Sequence, residues 1–281
     1  MVKDGITDDK RFIKAVGNEL VKKSHIKDLE ELEHLIVDNA PLNTNYDLSR
    51  PQKAFFDEFG YTEILGEYIY VYPLSTEVAC QLLHQLPSDG DPEAILEKST
   101  KGDKYINMKT GDTHKSVVFL PGSNLIWDQT SKENLYRIMH EDQDAVIKPH
   151  PLTNKEDIRK LKLSFGVTRM LDTRQSGFEA LVGADKVYVT ATTELCAYAT
   201  LMGKEVNVVG QFFKEYRGTY YPIYLLRNDP NKMAKAFSTP EKTGIFHKDT
   251  PKEKIQEYFN YVMDVRETHR PITSSYYKED E

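Results

Sequence analysis

The 281 residues are 39% hydrophobic and 29% charged, an ordinary balance for a globular chain with room for one large or two modest cores. No apolar run approaches the ~20 residues of a membrane span, and Met1–Gly5 leads into charged residues instead of an apolar signal core, so a cytoplasmic protein is expected. The net charge of −7 is concentrated early, with 13 basic and 21 acidic residues before Lys115 against 24 and 23 from there on, and no basic stripe of the kind that grips nucleic acid appears.

In chain order, Asp9–Val21 and Leu29–Val37 place apolar residues at helical spacing, and Pro41 and Pro51 bracket a polar loop. Glu67–Tyr72 alternates aromatic and β-branched residues and predicts a strand, followed by a helix over Thr76–Leu86. Pro87–Pro92 is a turn cluster, and the polar, aperiodic residues 98–114 predict a domain boundary. The domains are thus 1–114, smaller and helix-rich with at least one strand, and 115–281.

After Lys115, short apolar runs alternate with helix signals. Strands are predicted at Ser116–Leu120, Ala145–Lys148, Val167–Leu171, Lys186–Thr190 and Glu205–Val209. Capping boxes at Thr130–Glu133, Thr153–Glu156 and Ser176–Glu179 open the intervening helices, and Thr192 or Thr193 caps another that ends at Gly203. Five apolar strands separated by helices require parallel pairing through crossovers, which predicts an α/β fold with a Rossmann-like parallel sheet. A last helix is predicted over Lys252–Arg266, with Pro271–Glu281 as a tail.

Ligands of open parallel sheets bind at the carboxyl ends of the strands. That rule selects Pro121–Asn124, Lys148–Pro151, Asp172–Arg174, Thr190–Glu194 and Gly210–Phe212. These loops supply Gly122, Ser123, Lys148, His150, Arg174, Thr192, Thr193 and Glu194, a set suited to a phosphate or diphosphate bearing a sugar or ribose, with helix starts close behind. In Lys148-Pro149-His150-Pro151, two prolines fix the path of a histidine just past a buried strand. The same histidine also fits an ordinary loop that bonds a neighbouring carbonyl, and the threonines fit plain helix capping. Neither G-x-G-x-x-G nor the P-loop pattern occurs, which removes dinucleotide and P-loop functions. Asp89-Gly90-Asp91 and Asp142-Gln143-Asp144 match a metal-binding D-x-D pattern but read as surface turns. The eight histidines show no paired metal spacing and Cys80 and Cys196 no CxxC partner, so no metal is expected.

The His150-Pro151 and Thr192-Thr193 segments, each following a strand, resemble the His-Pro and Ser/Thr motifs of bacterial GT-B sialyltransferases and polysialyltransferases and of capsule Kdo transferases. The resemblance spans about 95 residues. It implies a GT-B-like fold, a glycosyltransferase activity, His150 contacting the nucleotide of a nucleotide-sugar donor, and Thr192 and Thr193 binding its phosphate. No cofactor is implied beyond that co-substrate. The family's acidic pair before glycine is represented here by Ser88-Asp89-Gly90, with serine in place of the first acid. Candidate general bases are therefore Asp89, Glu77 and His84. The acceptor is expected to be a glycan hydroxyl or, given the short amino-terminal region, a hydroxymethylated base of bacteriophage DNA. A nucleotide-sugar epimerase or hydrolase on the same fold, and a non-catalytic nucleotide-binding protein, are the competing expectations.

Overall fold

The computed structural model describes residues 59–73, 76–102, 108–211, 220–247, 249–251, 253–258 and 260–261. The helices expected at Asp9–Val21 and Leu29–Val37, the loop between Pro41 and Pro51, the tail from Pro271 and the end of the Lys252–Arg266 helix lie outside these residues.

The strands are β1 (Phe59–Ile64), β2 (Tyr68–Pro73), β3 (Ser116–Phe119), β4 (Ala145–Lys148), β5 (Lys186–Val189), β6 (Glu205–Val208) and β7 (Ile245–His247). Helices α1 (Thr76–His84) and α2 (Pro92–Lys98) precede β3, and α3 (Ile126–Gln129) and α4 (Lys132–Glu141) follow it. Then come α5 (Lys155–Phe165), α6 (Gly177–Val182), α7 (Leu195–Leu201), α8 (Tyr221–Tyr224), α9 (Pro230–Ser238) and α10 (Pro240–Thr243). The chain is mixed α/β, and none of the described helices is long and apolar enough to cross a membrane.

Two compact units emerge, one of residues 1–82 with 239–281 and the other of residues 83–238. This departs from the division expected at 114/115. Met108 forms a parallel bridge with Gln175 and accepts from the Ser176 N–H at 2.9 Å, and the two Glu179 carboxylate oxygens accept from the N–H groups of Thr110 and Gly111, each at 3.0 Å. Backbone bonds therefore hold residues 108–111 to the start of α6, and such bonds leave no mark on hydrophobic periodicity.

In the first unit, β1 and β2 form a hairpin, and β7 adds antiparallel to β2 to give the order β1-β2-β7. Leu65 and Gly66 turn the hairpin at φ 57° and 73°. The buried Tyr258 hydroxyl donates to the Val71 carbonyl at 2.8 Å, and the Tyr68 ring packs tilted against His247 with ring centroids 4.8 Å apart. Burial raises the Tyr68 phenol to about 12.

In the second unit, four parallel strands run in the order β4-β3-β5-β6. Their register sets Val117, Val146, Val187 and Val206 on one face and Val118, Ile147, Tyr188 and Asn207 on the other. The Val118 face is covered by α4 and α5 through Leu135, Ile138, Met139 and Leu161, and α6 and α7 pack on the strands from the opposite side. Both faces of β3 and β4 are buried, as a doubly covered parallel sheet requires.

The fifth expected strand, Val167–Leu171, is not one. Val167–Arg169 is a 3₁₀ turn, and pairing shrinks to one parallel bridge between Met170 and Ile147. The cause is Arg169, whose guanidinium donates to the carbonyls of Ala145, Met139 and Asp142 at 2.9, 2.5 and 2.6 Å, drawing this backbone to the amino end of β4.

Candidate functional site

The chain builds β3, then β4, then the Met170 bridge outward on one side, and returns to place β5 on the other side of β3. Strand order reverses there, and the crevice between the loops after β3 and β5 is where such sheets admit ligands. The expected tip loops consequently lie in one row along the carboxyl edge: 172–174, 148–151, 121–124, 190–194 and 210–211. Phe212 lies outside the described residues.

At the centre of the row, the Gly122 carbonyl accepts from Leu125 and Ile126 N–H at 2.9 and 2.8 Å and so starts α3. A Cβ on Gly122 would meet Asn124 Oδ1 at 3.0 Å and His150 Nδ1 at 3.5 Å. Glycine thus lets the β3 loop lie directly beside the histidine of the β4 loop. Ser123, expected to face a ligand, is turned the other way: its Oγ accepts from Asn154 N–H at 2.8 Å and bonds the Asp157 carboxylate.

His150 Nδ1 accepts from the Leu152 N–H at 3.1 Å, which leaves the ring proton on Nε2. Burial, with the nearby Lys148 charge, lowers the imidazole to about 4, so the ring is neutral near pH 7 and presents an N–H donor. Lys148 itself is only 3% exposed, and its ammonium donates to the carbonyls of Pro149 (2.6 Å) and Thr173 (3.3 Å). It ties the tip of β4 to the next loop and acts on the site through its field.

On the far side of β3, the buried Thr190 hydroxyl pairs with the Thr192 hydroxyl at 2.8 Å. Thr193 Oγ accepts from Leu195 N–H at 3.3 Å, and the helix begins after Glu194, which stands at the N-cap and makes no side-chain capping bond. The N-cap is thus Glu194 and not Thr192 or Thr193 as expected, and the Thr190 and Thr192 hydroxyls are paired with each other at the β5 tip. With strands about 4.8 Å apart, the β4 and β5 tips are roughly 10 Å from each other, the span of a phosphorylated sugar.

At the outer end, Arg174 forks onto Asp172 at 3.1 and 3.0 Å, and Asp172 also accepts from the Arg174 N–H. Those bonds hold the Asp172 carboxyl down at about 2. At the other end, Gln211 N–H donates to the Gln129 carbonyl and its amide to the Thr130 carbonyl, which stitches the β6 tip to the α3–α4 junction.

Two residues escaped sequence reasoning. Asp157, in the first turn of α5, is buried and accepts from Trp127 Nε1 at 2.9 Å. Burial pushes its carboxyl up, but bonds from Ser123, Trp127 and Asn154 with the Lys160 charge outweigh that and hold it low. The α5 amino terminus is therefore already supplied with a carboxylate of its own. Thr153, expected to cap α5, yields that place to Asn154, whose Oδ1 accepts from Asp157 N–H at 2.8 Å. Its hydroxyl is left buried without a partner among the described residues, in the loop that carries His150.

Asp89 and His84 are held against α9. Asp89 pairs with Lys235 of α9 at 3.0 Å, Asp91 caps α2 through the N–H groups of Glu93 and Ala94, and a Cβ on Gly90 would strike Lys235 N at 2.2 Å. Residues 89–91 are a turn clamped on α9. His84 is exposed at the end of α1, its carbonyl accepting from Lys232 Nζ at 3.1 Å. Glu77 lies in α1 within the other unit.

A cleft of about 460 Å³ lies on the Tyr188 face of β5 and β6; in its lining Arg137 pairs with Glu141 and Lys186 with Glu205, and Arg227 donates to the Tyr224 carbonyl. No metal-binding group of histidine, cysteine and acid side chains occurs among the described residues.

Compared with known proteins, the chain matches no family model and no curated protein.

Proposed function

We propose that this protein is a GT-B-type glycosyltransferase whose second unit holds a nucleotide-sugar donor along the tips of β3, β4 and β5. The observation that carries the reading is the adjacency of Gly122 and His150 at the point where strand order reverses, with the Thr190–Glu194 loop on the other side of the same strand. A neutral Nε2–H, two threonine hydroxyls and backbone N–H groups are donors fixed before the ligand arrives. As the bond between sugar and phosphate breaks, negative charge grows on the leaving phosphate, and donors aimed there stabilise it without reorganising. Lys148 adds positive potential from beneath. The acceptor hydroxyl loses its proton to a base, for which Asp89, Glu77 and His84 are the candidates, Asp89 being paired with Lys235.

Thermal denaturation against UDP-, CMP- and GDP-linked sugars tests the donor site. A ligand at 100 times its Kd should raise stability by about 2.7 kcal/mol, and His150→Ala should erase most of that rise. In turnover with a matched acceptor, the same substitution should cost roughly tenfold or more. A panel without any shift in the wild type sinks the proposal. Rapid consumption of the donor in the absence of acceptor would instead favour a hydrolase or epimerase.

A further inference from the structure

We propose that the outward face of α5 and the turn after it form a seat for an anionic membrane surface. The inward stripe of α5 is complete without the residues concerned: Asp157 and Leu161 are buried and Ile158 and Phe165 partly so. Leu163 projects from the opposite side and is 75% exposed, and Val167, four residues on, is 66% exposed. Tyr136 of α4, 54% exposed, borders the same end of α5 on its other flank: its hydroxyl donates to Ser164 at 3.1 Å and its ring lies 5.0 Å from that of Phe165. Isolated apolar side chains are ordinary on a protein surface; Leu163 and Val167 are set apart by lying four residues from each other at the end of a cationic helix.

Its surroundings are cationic. Lys155, Arg159 and Leu163 succeed each other at intervals of four and share one stripe of the helix. Lys160 and Lys162 flank it, all four cations being exposed. Of the two acids in α5, Asp157 faces inward and Glu156 is paired with Lys160 at 2.9 Å. The exposed charges of this eleven-residue helix, four cations and Glu156, thus sum to +3 in a chain whose net charge is −7.

A nucleic-acid backbone would use the cations but leave Leu163 and Val167 in water. A bilayer surface uses both, because headgroup phosphates take the ammonium and guanidinium groups while the acyl boundary takes the apolar side chains. The Val167 position sharpens the case. Its apolar run is expected to join the sheet, yet the 3₁₀ turn sets it outside.

The test is sedimentation of the full chain with vesicles of phosphatidylcholine alone and of phosphatidylcholine mixed with phosphatidylglycerol. The wild type should pellet with the mixed vesicles and stay in solution with the neutral ones. L163E/V167E and, separately, R159E/K162E should each weaken that association by about tenfold or more, since each cation near an anionic surface contributes on that scale. Melting temperatures of both variants should match the wild type, because all four side chains are exposed. A wild type that ignores mixed vesicles, or an L163E/V167E chain that still pellets with them, overturns the proposal. Binding to duplex DNA that survives L163E/V167E, without vesicle binding, assigns the face to nucleic acid and overturns it too. Donor-induced thermal shifts should be unchanged in both variants, which separates this face from the strand-tip site.

Discussion

At the scale of single residues, His150 shows how burial and one backbone bond set a chemical state. The Leu152 N–H occupies Nδ1 and burial disfavours the cation, so the ring is held neutral, at about 4 instead of its ordinary value. The sign follows from linkage. The unfolded chain takes up the proton near pH 6.5 and the folded chain only near 4, so this contribution is complete above 6.5 and is lost as pH falls from 6.5 to 4. The loss is on the order of 3 kcal/mol. Urea unfolding at pH 7.5 and pH 5 should show a larger drop for the wild type than for His150→Gln; equal drops would mean that the imidazole protonates freely in the folded state. The position of His150 past a strand was legible, since the prolines announce a fixed loop. The orientation of Ser123 and the pairing of Arg174 with Asp172 were not, because both depend on which partner lies nearest in space.

At the scale of elements, capping signals located helix starts to within a residue while misassigning the capping atom. Ser131 and Asn154 cap α4 and α5 where Thr130 and Thr153 were expected, and only Ser176 caps as read. In the third box, the Glu179 side chain does not return to the cap. It reaches 68 and 69 residues back to Gly111 and Thr110. Glu179→Ala should therefore free two amides at a cost of about 1–2 kcal/mol, given the partial exposure of these charge-assisted bonds. Hydrogen exchange at Thr110 and Gly111 would speed up selectively, and unchanged protection there would refute the tether. Alternation of apolar runs with helix signals was enough to reveal four strands of the sheet. It overcounted at Val167–Leu171, because three backbone acceptors for the Arg169 guanidinium decide that segment, and periodicity carries no record of them.

At the scale of the whole molecule, the parallel α/β character was readable because each βα step is local. The first unit was not, since β7 pairs with β2 across more than 170 residues of chain and its three residues make no pattern of their own. Local signals cannot tell that a carboxyl-terminal segment completes an amino-terminal sheet. The chain passes between the units twice, after Leu82 and after Ser238, which makes residues 83–238 an insertion within a discontinuous host. Its two ends are fastened to each other by the bond from Lys232 to the His84 carbonyl, by Ser88 on Asp229, and by the Gly90 N–H on the Asn231 carbonyl at 3.1 Å. A polypeptide of residues 83–238 should consequently fold alone, melt in one cooperative transition and keep its donor-induced shift; an uncooperative melt would count against it. Having its ends already joined makes the inserted module a cassette: it can be excised, relocated into another host loop or circularly permuted without opening its core.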